Sequence, residues 1–564
     1  MSHGASRRDS GDFDPRRYRR SEAAGGRSGT RSAPRGSAGG RPAPRGPAGR
    51  PPPPGGRRGV GRARDRWRRQ RWQAKAGYIL ASLVAVVAVA AGLGGFAVYR
   101  QLDGNITKVN VGDLSGRATY GVQNILVLGS QTRLGQRGNF GYDATPGVSN
   151  SDNLLLIHLD PSHTHAIVLS IPRDTFVYQP ACQERPYVGT GVWPAQQYPP
   201  GAIIDGALNI GGATCAVQTV EALTGIKLDH FVEFNFNSFR TMVGQLGGVE
   251  VCVPPGPGYH DTATNLNLSP GKHLLDYGQA LQYVRDRHGV GDGADAGGDL
   301  PRIELQQAFI SSVVQKVNST GLLTDIPSLL GIADTATRAL TVDQGLGSTT
   351  SLLRLAESMA HLKSRNVTLI TMPSTMDTFD YPTYDEHLMT VQPQDDVLFQ
   401  MIRTDQAWQG GLPTQPNASV QVHVLNATGQ PGLAAKTRAS LRQLGFDVVS
   451  VGDAPYSSTT TVDYAGEAQA DSAYTLMTAL HTFPAGQNTL AEPASQIGTP
   501  GPVTLILGAD FAGVNPPPTP SPAKSGKPGS ISATAGQTNP GGLQTRNAAA
   551  SICSGLPPAN PGGG

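Results

Sequence analysis

Hydrophobic residues fall into four regimes along the chain. Residues 1–56 hold almost no aliphatic side chains and consist of Arg, Gly, Pro and Ser. Such a segment cannot bury enough surface to offset its ordering entropy, so 1–77 reads as a disordered basic tail. Tyr78 to Tyr99 is the opposite: 22 uncharged residues, mostly Ala, Val, Leu and Gly. At a rise of about 1.5 Å per residue it spans a hydrocarbon core of roughly 30 Å, and it shows no polar stripe. It therefore predicts one transmembrane helix over 78–99, followed by a short stem over 100–120.

From residue 121 the pattern is that of a folded domain. NILVLG (124–129), LLLIHL (154–159) and HAIVLSIP (165–172) are continuous apolar runs, as expected of strands covered on both faces. CAVQTVEALTG (215–225) reads as a helix stopped by Gly225. HFVEFNF (230–236) and VEVCVP (249–254) read as strands. FRTMVGQLGG (239–248), GQALQYVRDRH (278–288), RIELQQAFISSVVQKV (302–317) and segments around Leu329 and Leu353 read as helices. NVTLITMP (366–373) is a further strand. The alternation predicts an α/β domain over 121–407 with a mixed central sheet flanked by helices. After a linker at 408–417, strands at 420–429, 447–454 and 503–511 and helices at 433–446 and 470–481 make a small α+β domain over 418–512. The Pro/Gly/Ser-rich stretch 513–564 reads as a disordered tail.

Charge sharpens this picture. The chain's net charge of +4 combines +16 on residues 1–77 with −12 on the rest. A basic stretch, Arg57 to Lys75, directly precedes the apolar span. The positive-inside rule then places the N-terminus in the cytoplasm and the folded domains outside, with anionic lipid rather than nucleic acid as the tail's partner.

The four cysteines form no CxxC or Cys/His cluster, which argues against structural zinc. There is no G-x-S-x-G, H-E-x-x-H or Walker A motif. What stands out is arginine beside carboxylates at predicted strand ends and helix starts: SDN (151–153), PRD (172–174), RDRH (285–288) and DLPRIELQQ (299–307). Guanidinium groups match phosphate oxygens bidentately, and a nearby Asp can hold a divalent metal bridging the same phosphates. The set points to a phosphate or pyrophosphate site; the alternative is a scatter of surface Arg–Asp pairs.

NILVLGS with its SD-strand, LSIPRDTFV (169–177), QYVRDRHG (283–289) and D-L-x-R-I-x-x-Q-Q together resemble the LytR-CpsA-Psr family over about 115–407. VHVLNATG and GLAAKT resemble the LytR C-terminal domain. The resemblance implies a cell envelope phosphotransferase. It would move a glycopolymer from a polyprenyl-pyrophosphate carrier onto peptidoglycan through a phosphodiester, with Mg²⁺ assisting.

Carried over by motif, Arg173, Arg285, Arg287 and Arg302 would grip phosphate oxygens and Asp152 would hold the metal. Gln306 and Arg133 would line the pyrophosphate, and Asp174 and Asp299 would orient arginines or act as base. Gln131 stands where the family often has a second Asp. Ile203 and Leu305 stand where it often has Lys and Arg. A polyprenyl-pyrophosphate hydrolase, a transcriptional regulator and a non-catalytic wall-binding protein are the alternatives. With the ectodomain outside, disulfides are permitted. Cys182 and Cys215 are the candidate pair, Cys252 reads as a small buried hydrophobe, and Cys553 lies in the tail.

Overall fold

The apolar runs of the first domain lie side by side in one sheet of a computed structural model of the protein. The structure describes residues 82, 84–90, 92–112, 114, 121–130, 150–185, 190–196, 202–290, 299–319, 326–376, 387–481, 485–488, 501–516, 537–538 and 543–559. The chain divides between Ala85 and Val86, and the compact unit described below is Val86–Gly564 with the helix turn that leads into it.

A helix, α1, covers Val84–Asn105; with a mean hydropathy of 1.5 it is long and apolar enough to cross a membrane. It continues past Tyr99, and residues 100–112 are not a free stem. Leu102 and Ile106 are buried, Asn105 donates to Asp334 at 3.1 Å, and β1 (Thr107–Val109) joins the main sheet. No Gly or Pro interrupts the chain between Tyr99 and Leu102, so nothing stops the helix where the apolar run ends.

The sheet continues with β2 (Gln123–Ser130), β3 (Ser151–Leu159), β4 (Ala166–Ile171), β5 (His230–Asn235), β6 (Leu340–Asp343) and β7 (Val367–Thr371). Their spatial order is β1-β6-β5-β2-β3-β4-β7. The pairs β1·β6, β5·β2 and β4·β7 are parallel, and the others antiparallel, which is the expected mixed sheet. Six helices accompany it: α2 (Gly206–Thr224), α3 (Phe236–Gln245), α4 (Tyr277–Tyr283), α5 (Asp299–Ser319), α6 (Ile326–Ala339) and α7 (Thr349–Met359).

The period-2 alternation of each strand divides its side chains between two cores. Leu126, Leu128, Leu154 and Leu156 pack with Leu208, Ala216 and Val220 of α2. Ile125, Leu155 and Val168 pack toward α5 and α7. Gly225 ends α2 as expected, at φ 64° with its N–H on Glu221 O.

The helix α8 (Gln394–Arg403) carries the core onward. Leu412, within the segment read as a linker, is buried in it. The second domain has β8 (Gln421–Asn426), α9 (Leu433–Gln443), β9 (Asp447–Asp453), β10 (Thr461–Tyr464), α10 (Ala470–Thr478), β11 (Ala485–Asn488) and β12 (Val503–Leu507), in sheet order β9-β8-β12-β10-β11. Tyr464 donates to Asp396 at 2.6 Å, and Arg403 donates to Glu467 at 2.6 Å and to Thr224 O at 2.6 Å.

Two expectations about the end of the chain are overturned. Residues 543–559 are ordered: β13 (Gln537–Thr538) and β14 (Gln544–Asn547) extend the main sheet beyond β7. Cys252 is not a lone buried hydrophobe but is bonded to Cys553, 301 residues on. The Cys182–Cys215 bond is present as expected.

A buried, hydrogen-bonded carboxyl group ties β5 to the end of β6. Asp343 accepts from His230 Nδ1 at 3.2 Å, Phe231 N at 3.0 Å and Gly345 N at 2.6 Å. Burial acts to raise this carboxyl's pKa, but the hydrogen bonds and the His230 charge outweigh it and hold it below the ordinary value. A depressed acid stabilises the fold above its unfolded pKa of about 3.9, and that stability is lost as pH falls through the lower native value. Asp343→Asn is therefore expected to lower stability at pH 7 by about 2–3 kcal/mol and to flatten the acid limb. Thermal melts between pH 7 and 3 check this.

Candidate active site

The antiparallel pairing of β2 with β3 and of β3 with β4 brings the end of β2, the start of β3 and the end of β4 to one edge of the sheet. Ser130 lies opposite Ser151, Gly129 opposite Asn153, and Leu154 opposite Ile171. β5 runs parallel to β2 and delivers Asn235 beside Ser130. In open α/β sheets ligands bind outside such carboxyl ends.

On the α2 side of this edge, Arg173 donates from Nη1 to Asp152 Oδ1 at 2.6 Å and from Nε to Asp174 Oδ2 at 3.2 Å. The backbone ties α2 to the same place: Asp205 N donates to Arg173 O at 3.2 Å, and Ser151 N to Asp205 O at 3.2 Å. Asn150 donates to the Asp205 carboxylate at 3.1 Å. Burial, followed by the charge of Asp174, pushes Asp205 up to about 7, against the pull of Arg173. Three carboxylates thus share this one arginine's neighbourhood.

On the other side, Asn153 donates to Gln306 Oε1 at 3.0 Å, and Gln306 donates to Val284 O at 3.0 Å. Gln306 thereby ties β3 to the turn after α4. The Arg285 guanidinium lies 4.6 Å from the Phe236 ring centroid, a cation–π distance. On this α3–α5 side, reached by Asp152 of the first cluster, opens a cavity of about 290 Å³. Phe234, Phe239, Val243, Leu246, Phe309 and Val313 make its apolar body; Ser130, Asp152, Asn153, Arg285 and Gln306 give it polar groups.

The predicted residues distribute as follows. Asp152, Arg173 and Asp174 form one cluster, and Asp152, Arg285 and Gln306 line the cavity. Arg302, 4% exposed, precedes Gln306 by one turn of α5 and does not line it. Arg287 also lies outside the lining; its backbone N–H is directed at Asp261 Oδ2, 3.4 Å away. Gln131 and Arg133 fall outside the described residues, as does the Asp299 side chain, although its backbone opens α5. Leu305 is fully buried with Val251 and Tyr259 and does not line the cavity.

Sequence reasoning missed Asp205 and Glu233, and it quoted Asn153 within SDN without giving it a role. Glu233 is pushed up by burial, against the pull of its Ser130 hydrogen bond and of the Arg185 charge. Asp205 just before a helix carries only an N-cap signal; its nearness to Arg173 comes from tertiary pairing.

Residues 98–395 match the LytR_cpsA_psr family. The chain belongs to this family. Residues 419–511 match a second family, described as LytR cell envelope-related transcriptional attenuator. Cell wall biosynthesis protein LcpA of Corynebacterium glutamicum is 29% identical over 415 residues, covering 67% of this chain and 76% of its own length. The polyisoprenyl-teichoic acid–peptidoglycan teichoic acid transferase TagT of Bacillus subtilis is 29% identical over 224 residues, 39% of this chain and 61% of TagT. The solved LytR-Csp2A-Psr enzyme from Actinomyces oris is 22% identical, with a TM-score of 0.39, over 53% of this chain and 96% of its own.

In this LytR-CpsA-Psr domain the raised Asp205 pKa has a measurable consequence. Between about pH 4 and pH 7 the native state binds a proton there that the unfolded chain has lost, so stability falls as pH rises through that window. Asp205→Asn is expected to raise the melting temperature relative to wild type at pH 8 and to leave it nearly unchanged at pH 4. Melts at the two pH values check this.

Proposed function

We propose that this protein transfers a glycopolymer from a polyprenyl-pyrophosphate carrier to peptidoglycan, forming a phosphodiester link. The observation that carries the reading is the cavity's two-part chemistry: an apolar body and a polar lining that includes Arg285, with the Arg173 cluster adjoining it through Asp152. That shape and polarity fit an amphiphile with a long hydrocarbon chain and an anionic head. The names of the teichoic acid transferases among the relatives agree in substrate class.

In the reaction, an acceptor sugar hydroxyl attacks the phosphorus bearing the glycopolymer. The new P–O bond forms as the bridging pyrophosphate P–O bond breaks, polyprenyl phosphate leaves, and the hydroxyl proton passes to a carboxylate beside Arg173. Phosphoryl transfer asks mainly for positioning and charge neutralisation, and the chain needs no nucleophile of its own. Arg285 and Arg173 hold phosphate oxygens, Gln306 fixes the turn that presents Arg285, and the aromatic wall excludes water from the hydrocarbon chain.

The donor set fits Mg²⁺. Among the described residues no group of three or more His, Cys, Asp or Glu forms a ready-made metal cage. Mg²⁺, however, is often held by one or two carboxylates plus substrate phosphates. Asp152 lines the cavity while its Oδ1 is held by Arg173 at 2.6 Å, which sets this carboxylate toward a bound phosphate. Asp152 is the residue that would hold the ion, and when bound it would neutralise developing charge on the phosphates. Helix α1 and the basic stretch before it anchor the protein as a single-pass membrane protein, N-terminus inside, with the basic residues on anionic lipid and the catalytic domain outside.

Arg285→Ala is expected to lower transfer roughly 10–100-fold, since a charge-assisted bond contributes about 1.5–3 kcal/mol, with the melting temperature nearly unchanged. Incubating the purified protein with lipid-linked polymer and peptidoglycan, and identifying the linkage, tests both the reading and the variant. Release of polymer in the absence of peptidoglycan at the same rate would replace transfer by hydrolysis.

A further inference from the structure

Residues 543–559 lie outside both family matches, yet they are built into the catalytic domain. β14 pairs antiparallel with β7, Leu369 opposite Arg546. Arg546 is 3% exposed; it donates to Ser311 of α5 at 3.2 Å and to the carbonyls of Ser551 and Ser554 at 3.0 and 2.8 Å. Gln315, one turn further along α5, donates to Ala548 O at 2.7 Å and Ala550 O at 2.9 Å. The segment therefore grips the same helix that carries Arg302 and Gln306.

Its second half reaches the arginine-bearing turn. Cys553 is bonded to Cys252. Tyr259 donates its hydroxyl to Pro557 O at 2.8 Å, and its ring lies 6.3 Å from that of Tyr283, at the end of α4. Ala559 forms a β-bridge with Val290. These contacts bracket residues 284–290, the turn that contains Arg285 and Arg287. Inside the turn, Gly289 N donates to the buried Asp286 at 2.8 Å. Asp261, two residues after Tyr259, pairs with His288 Nδ1 at 3.2 Å and faces the Arg287 N–H at 3.4 Å.

We propose that residues 543–559 are a positioning strap: tied by Cys252–Cys553 and by Tyr259, they hold the 284–290 turn so that Arg285 meets the ligand's phosphates. The consequence for ligand affinity rests on the pyrophosphate reading above; the bracing of the turn does not. A fixed guanidinium binds better than a mobile one because the ordering entropy is lost before the ligand arrives. A small misplacement of a binding group costs affinity out of proportion to its size.

The test uses the full chain in detergent micelles and two variants. Cys252→Ser combined with Cys553→Ser cuts the covalent tie. Tyr259→Phe removes only the bond to Pro557 and keeps both rings, so it remains informative if the double variant does not fold. Amide hydrogen exchange is read at Arg287 and Gly289, with Ile125–Leu128 of β2 as the internal reference. Farnesyl pyrophosphate binding is measured by calorimetry well below the melting temperature.

The strap account expects exchange in the turn to rise roughly tenfold with β2 unchanged, and the probe to bind roughly tenfold more weakly. Unchanged exchange in the turn overturns the proposal. So does wild-type probe affinity in folded variants whose turn has loosened. If the wild-type chain does not bind the probe at all, the pyrophosphate reading fails, and the exchange measurement still decides whether the strap braces the turn.

Discussion

The site depends on keeping charge at the rim of an apolar cavity. A guanidinium or carboxylate next to Phe234 and Phe239 is costly unless it is paired. The structure meets this constraint at the sheet edge, where Arg173 holds Asp152 at 2.6 Å and Asp174 at 3.2 Å. Asp205 crowds the same arginine and is pushed up to about 7. The cluster thus gathers three carboxylates around one arginine, while the other side carries Arg285 and Gln306.

The fold serves this edge. Antiparallel β2, β3 and β4 bring Ser130, Asp152 and Arg173 together from stretches spread over more than forty residues. The same period-2 alternation sends Leu154 to the α2 core while Asn153 turns to Gln306. The cavity lies on the α3–α5 side, where Phe239 and Phe309 approach with centroids 5.5 Å apart.

Much of this was legible in the sequence because the signals were local. NILVLG and LLLIHL are continuous apolar runs, and buried strands covered by helices on both faces need just that. The motif arginines and carboxylates were legible as chemistry, and their convergence followed from family resemblance. What stayed hidden was carried by tertiary pairing. Asp205 has no local mark of its proximity to Arg173. The strap's apolar residues, Leu543, Ala548 and Ala550, are few and small within a Gly/Pro-rich stretch. Their partners, such as Gln315, lie more than two hundred residues away, beyond the reach of periodicity. Cys252 pointed the same way: in a strand it reads as apolar filler, and only the fold shows Cys553 beside it. The helix α1 ran past its expected end because Gln101 and Leu102 carry no stop signal.

The central claim is that one cavity holds the carrier's hydrocarbon chain with its pyrophosphate among the site's arginines. Photo-crosslinking tests it most directly, using a polyprenyl pyrophosphate with a photoreactive group on its first isoprene units and peptide mapping of the adducts. The account predicts labelling of the α3 and α5 peptides that contain Phe239, Val243 and Phe309, competed away by unlabelled carrier. Labelling confined to α1 or to the second domain, with these peptides unmodified, would contradict it.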